Sequence, residues 1–383
     1  LCCNQMVINK KINFDIDIGE TSNVSPEERE LLLTTEFIKE LYSQPHSRIE
    51  LNSIQLKNIE NLILIGFGGS TLGTKSIFKI FPELLSKKTY TIDNLDSEEF
   101  NKIFEGLNIN KTMFLFISKS GNTFEVITLL NEVLKKINSS ENVFFITDTN
   151  NSKLNKIAKE KNIKVFDVNK ELGGRFSVLS KSTYIPCQIN NFNWLEMHDG
   201  ALNFLETQKK TNFILIESVC NFLINNYRNG KNILCLMPYD NHLDSFSEWL
   251  MQLIGESIGK ENLGGYSVGL TPIKYLGPKD QHSQMQLILD GPKDKVVFLL
   301  SSKKSKSVNK SIDDANLLEL NATEAALKEK QIQTLKMEIE DMSPADLGSL
   351  FIMFELIITL IGIRLGINPF DQPAVELIKK RLP

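Results

Sequence analysis

At 383 residues the chain is long enough for two cores, because single cores stop growing at about 250–300 residues. With 42% hydrophobic and 23% charged residues it has the composition of an ordinary folded soluble protein, which excludes collagen-like and disordered classes. A net charge of −4 provides no basic field over the whole chain, so general electrostatic binding of nucleic acid is excluded and only local basic sites stay open.

The five cysteines (Cys2, Cys3, Cys187, Cys220 and Cys235) are odd in number and scattered. They lack the paired spacing of a zinc site or a disulfide framework, so a reducing, cytoplasmic setting is expected. No basic region and apolar run precede Cys2 and Cys3, so no lipid anchor is expected there; the chain does not begin with Met, which leaves its true start open.

In chain order, Ser25–Tyr42 has helical spacing of apolar residues and opens with Ser25-Pro26, a natural N-cap and first helical position. The apolar run Asn61–Gly66 reads as a strand buried on both faces, and Thr89–Asp93, Thr112–Ser118, Val143–Asp148 and Lys164–Asp167 repeat that type. Amphipathic stretches such as Asn122–Ile137 lie between them, so the alternation predicts a doubly wound α/β layer. A looser second copy runs through the strand Asn232–Met237, the helix Ser245–Ile258 and the strands Val296–Leu300 and Thr334–Ile339. Ser301–Asp314, rich in Lys and Ser, reads as a surface loop. Leu347–Leu365 contains Glu355, Arg364 and two glycines, which suits a buried core helix better than a membrane span. The turn Asn368-Pro369 and a last helix from about Asp371 to Lys380 close the chain. The expected segments are 1–48 (helical), 49–195 and 196–345 (two α/β domains), and 346–383 (C-terminal helices).

Several loops at strand ends could carry chemistry. Gly66-Phe-Gly-Gly-Ser-Thr-Leu-Gly73 offers glycine amides (Gly69 among them) and the Ser70 hydroxyl to an anion, although a tight turn explains the glycines equally well. It lacks the dinucleotide fingerprint, because Thr71 stands where the third glycine is needed. Ser118-Lys119-Ser120-Gly-Asn-Thr123 brings three hydroxyls to a helix N-terminus, more than an N-cap requires, and so suits a phosphate. Gly173-Gly-Arg175-Phe-Ser177 places a guanidinium on close-approach backbone; alone, Arg175 reads as a structural ion-pair partner. Glu256, between Gly255 and Ser257 near the end of an apolar helix, would be a general base if burial raised its pKa, yet most glutamates are merely solvated. His282, after Gly277-Pro278, suits proton transfer but has no second ligand at metal spacing. Gln372, Glu376 and Lys379, spaced by four and three, would share one helical face, where a surface ion pair is the plain alternative.

Taken in this order (G-x-G-G-S-x-L-G, S-K-S-G-N-T, G-G-R-F-S, E-S-x-G-K, Q-H and D-Q-x-x-V-E-x-x-K), the motifs resemble the phosphoglucose isomerase family from residue 66 to residue 379. That resemblance implies two sugar-isomerase-type (SIS) doubly wound parallel-sheet domains with a C-terminal helical arm. It implies that Gly69, Ser70, Ser118, Lys119, Ser120 and Thr123 hold the 6-phosphate of a sugar phosphate. Glu256 would be the base that moves a proton between C2 and C1 through a cis-enediol, with Arg175 stabilising the enediolate. His282 and Lys379 would serve ring opening, and Gln372 would face the substrate. The resemblance further implies a homodimer in which His282 comes from the partner subunit, and no metal or redox cofactor. Rival readings are a non-catalytic phosphosugar-binding regulator, an isomerase that also takes mannose 6-phosphate, and a dinucleotide-dependent dehydrogenase.

Overall fold

The computed structural model describes residues 4–9, 11–16, 24–44, 47–51, 56, 58–149, 151–303 and 308–382. Its strands are β1 (Asn4–Asn9), β2 (Ile12–Ile16), β3 (Asn61–Ile65), β4 (Lys88–Ile92), β5 (Thr112–Ile117), β6 (Val143–Thr147) and β7 (Lys164–Asp167). They continue with β8 (Ile233–Pro238), the short β9 (Lys260–Glu261) and β10 (Ser267–Val268), β11 (Thr271–Lys274), β12 (Lys295–Lys303) and β13 (Gln333–Glu340).

The chain forms two compact units: Leu1–Thr34 with Met197–Asp371, and Thr35–Glu196 with Gln372–Pro383. These differ from the expected segments, since the helix Pro344–Leu365 packs in the first unit and the final twelve or so residues belong to the second. The first boundary falls where the expected single helix Ser25–Tyr42 is in fact two, Pro26–Leu33 and Glu36–Ser43. Ser25 and Glu28 cap the first reciprocally, and Thr35 takes extended backbone between them.

In the unit built on Thr35–Glu196, five parallel strands lie in the order β4-β3-β5-β6-β7. The three central strands, β3, β5 and β6, are buried on both faces, and so read as continuous apolar runs rather than alternating ones. Ile63, Phe114, Phe116 and Phe145 pack with Val126, Leu130 and Val133 of the helix Phe124–Lys136. Strand order reverses between β3 and β5, and in open α/β sheets the crevice beyond the carboxyl ends at that point is where ligands bind.

The other unit holds a six-stranded sheet, β1-β2-β13-β12-β8-β11. Its four strands β13, β12, β8 and β11 are parallel, but β2 pairs antiparallel with β13 and β1 with β2. The expectation of purely parallel sheets is therefore corrected: this sheet is mixed, and the N-terminal stretch expected to be helical supplies its antiparallel edge. Ser301–Asp314 is likewise not a loop throughout, because β12 runs to Lys303 and a helix spans Lys310–Glu329. Asn309 caps that helix by accepting from the Ile312 amide, and Lys310 pairs one turn on with Asp314 at 2.7 Å.

Pro344–Leu365 has the length and composition of a membrane span, yet it lies almost wholly inside the protein. Phe351 and Phe354 meet Phe246, and Phe351 meets Trp249, both on the helix Asp244–Ile258. Glu355, one turn further along, is fully buried, and among the described residues neither carboxylate oxygen has a hydrogen-bond partner. Burial holds its pKa well above the ordinary 4.5, so the folded chain keeps a proton that the unfolded chain releases. Stability then falls as pH rises above the unfolded value towards the raised one. Glu355→Met, similar in volume and without polar oxygens, should stabilise the protein at about pH 8 by about 1–3 kcal/mol. Urea unfolding at several pH values should show that gain shrinking towards the ordinary carboxylate pKa.

Cys187, Cys220 and Cys235 are free and buried; burial raises the thiol of Cys187, that of Cys220 to about 12 and that of Cys235 to about 11. Cys2 and Cys3 lie outside the described residues.

Candidate active site

The two loops singled out for phosphate follow β3 and β5, the strands that flank the reversal point. After β3 the backbone turns through Gly68–Ser70 into the helix Leu72–Ile80. A Cβ on Gly69 would lie 2.2 Å from the Gly174 carbonyl carbon and 2.5 Å from the Arg175 amide nitrogen. Only glycine lets this loop touch the Gly173–Ser177 loop, and that contact brings two motifs together that are about a hundred residues apart in sequence.

After β5, Gly121 takes φ +62°, which a side chain would strain, and a Cβ there would lie 2.2 Å from Ser152 Oγ. Thr123 occupies the N-cap of Phe124–Lys136, but its side chain makes no capping bond. Its hydroxyl instead meets Ser118 Oγ at 2.7 Å. The plain N-cap reading of these hydroxyls therefore does not hold: the first amides of this helix have no side-chain cap, which is what an anion site at a helix N-terminus requires. Ser120 is exposed and accepts from the Asn122 amide at 3.3 Å.

A shallow pocket opens in this same unit, lined by Ser70, Lys119, Asn169, Gly174, Ser177 and Ser180 among others. Sequence reasoning missed Asn169 and Ser180; the first follows β7 and the second caps the helix Lys181–Ile189, neither within a glycine-marked loop. The Lys119 ammonium is held below the usual lysine range chiefly by burial, with Glu171 and Asp148 opposing the shift and the charges of Lys379 and Arg175 adding to it. Three cations of one unit thus bear on each other, an arrangement that a bound dianion would relieve.

Arg175 is 2% exposed, lies 5.5 Å from the Phe176 ring and donates from Nη1 to Gln372 Oε1 at 2.9 Å. Gln372 does not share a helical face with Glu376 and Lys379. It precedes a short turn, Pro373–Val375, with φ −151° and ψ 65°, and the helix proper covers only Glu376–Lys379. Pro373 explains this, because a proline disfavours helical backbone in the residue before it. Lys379 pairs with Glu376 at 2.6 Å, both about half exposed.

Glu256 and His282 lie in the other unit. Glu256 stands near the end of the helix Asp244–Ile258, half-buried rather than buried, and accepts from Gln252 Nε2 at 3.1 Å. His282 is exposed in the first turn of the helix Gln281–Asp290. Its neighbour Gln281 is anchored to Tyr239 Oη and Thr323 Oγ1, each at 2.7 Å, which fixes the backbone that carries the imidazole.

Comparison with known proteins places the chain in a family. The family model described as phosphoglucose isomerase matches residues 23–328. A probable glucose-6-phosphate isomerase of Methanococcus maripaludis is 33% identical over 353 residues, covering 86% of this chain and 79% of that protein. The glucose-6-phosphate isomerase of Campylobacter jejuni is 34% identical over 348 residues, covering 84% of each. Among solved structures, a hypothetical protein of Thermus thermophilus superposes with a TM-score of 0.76 at 28% identity, over 93% of this chain and 87% of that one. A glucose-6-phosphate isomerase of Chlamydia trachomatis shares the fold, with a TM-score of 0.74 at 21% identity, over 94% of this chain and 73% of that one. With motifs, strand order and relatives all in agreement over most of its length, the chain belongs to the phosphoglucose isomerase family.

Proposed function

We propose that the protein interconverts D-glucose 6-phosphate and D-fructose 6-phosphate in the cytoplasm, as an aldose–ketose isomerase of glycolysis and gluconeogenesis. The observation that carries this reading is the crevice at the β3/β5 reversal, where an uncapped helix N-terminus and the hydroxyls of Ser118 and Thr123 adjoin Lys119. That is chemistry for a phosphate dianion.

In the proposed mechanism Ser118, Lys119, Ser120 and Thr123 grip the 6-phosphate, with Gly69 and Ser70 closing over it. His282, supplied by the partner subunit of a homodimer, and Lys379 open the ring. Glu256 then takes the C2 proton of the open-chain sugar and returns it to C1 through a cis-enediolate. Arg175, held by Gln372, meets the charge that develops on the enediolate oxygens. Both sheets contain a parallel run in which the first strand lies between the second and the third, β4-β3-β5 and β11-β8-β12, which supports two copies of one SIS plan.

Turnover of fructose 6-phosphate, followed through NADP reduction by a coupled glucose-6-phosphate dehydrogenase, tests the proposal. Robust turnover is expected. A folded protein that binds the phosphosugar without turning it over would be a regulator instead.

A further inference from the structure

Lys260 closes the segment Glu256-Ser-Ile-Gly-Lys260, and the mechanism above gives it no task. Its side chain is 8% exposed. The ammonium bonds three oxygens of a single turn: the Asn368 carbonyl, the Asp371 carbonyl at 2.5 Å and Asp371 Oδ1 at 2.7 Å. An ammonium has three donors, and this turn can engage all of them. The turn is also tied internally, by Asn368 Nδ2 to Asp371 Oδ2 and by the Phe370 amide to Asn368 Oδ1, each at 3.0 Å. A few residues beyond Lys260, the Leu263 amide donates to the Gly366 carbonyl at 3.2 Å, so the same segment holds the approach to the turn as well.

One peptide bond beyond Asp371 comes Gln372, whose amide oxygen accepts from Arg175. We propose that Lys260 is a positioning residue, a clasp that fixes the Asn368–Asp371 turn from which Gln372 departs and, through Gln372, the orientation of the Arg175 guanidinium. This role rests on the isomerase reading. Lys260 touches no reacting atom in it. An arginine acting on charge that develops during reaction contributes most to the transition state, so a loosened clasp should lower kcat. The 6-phosphate is gripped at the end of β5, which the clasp does not touch, so KM should change little.

The test compares wild type, Lys260→Met, Asp371→Ala and the double variant by steady-state kinetics with fructose 6-phosphate and by amide hydrogen exchange over residues 366–372. Each single variant should lower kcat by about 10- to 100-fold, the range that misplacement of a remote support can produce. KM should be nearly unchanged, and exchange at the Phe370 amide should be faster. The double variant should be no worse than the poorer single one, because both remove the same clasp. Unchanged kcat with faster exchange would overturn the role, and so would a raised KM with unchanged exchange, which would make Lys260 a substrate contact. Were Lys260→Met not to fold, Asp371→Ala would carry the same comparison. A wild type without turnover would remove the isomerase reading and the positioning role with it, while the exchange data would still report the clasp.

Discussion

Glu256→Gln is expected to lower kcat for fructose 6-phosphate by about 10²–10⁴-fold, the usual contribution of a positioned general base, while the affinity for the phosphosugar persists. Glutamine keeps the shape of the side chain and its ability to accept from Gln252 Nε2, so the end of the helix Asp244–Ile258 should stay as it is. What it cannot do is hold a proton between leaving C2 and arriving at C1. A second readout separates this from general damage. In deuterated water the wild type should wash solvent deuterium into C2 of recovered glucose 6-phosphate, and the variant should lose that exchange together with turnover. Exchange that survives in the variant would assign the base elsewhere.

Gly69→Ala is expected to disrupt the phosphate crevice itself. The added methyl would sit 2.2 Å from the carbonyl carbon and 2.3 Å from the carbonyl oxygen of Gly174, and these are backbone atoms that cannot swing aside as a side-chain tip can. The Gly66–Gly73 and Gly173–Ser177 loops must therefore separate. A forced overlap of this kind in a packed region costs about 1–3 kcal/mol or more. Because the displaced atoms include the Arg175 amide, isomerisation should fall even where the variant remains folded. Thermal unfolding together with phosphosugar titration checks this: a wild-type melting temperature with wild-type affinity would mean that the loops do not need their close contact.

The central parallel strands β3, β5 and β6 were legible because burial on both faces leaves an uninterrupted apolar run, as in Asn61-Leu-Ile-Leu-Ile65, whereas the half-exposed parallel strand β11 carries no such run and went unread. The antiparallel edge was not legible either, because β1 and β2 are short and β2 is held by β13, more than 300 residues later. No local signal announces such a pairing. The Lys and Ser of 301–314 looked like a loop because the cap at Asn309 is a single residue and the apolar stripe of the helix it starts is weak. At the candidate site, residue types were legible and their bonding was not. Nothing in the spacing tells that Thr123 leaves its helix uncapped to meet Ser118, or that Arg175 and Gln372, 197 residues apart, share a hydrogen bond. Side-chain direction decides the first and tertiary closure the second.

The discontinuous units also bear on how the chain is made. Strands β3 to β7 pair only among themselves, so their sheet can close as soon as residue 167 or so has left the ribosome. The six-stranded sheet must wait, since β2 finds its partner only when β13 emerges. Loop closure over such a span is slow, and the early strand edge stays unpaired meanwhile. Domains made first fold first, so the phosphate crevice should form during synthesis. Arg175, however, receives its glutamine only when residue 372 is released, which makes the arm the last piece of the machinery to arrive.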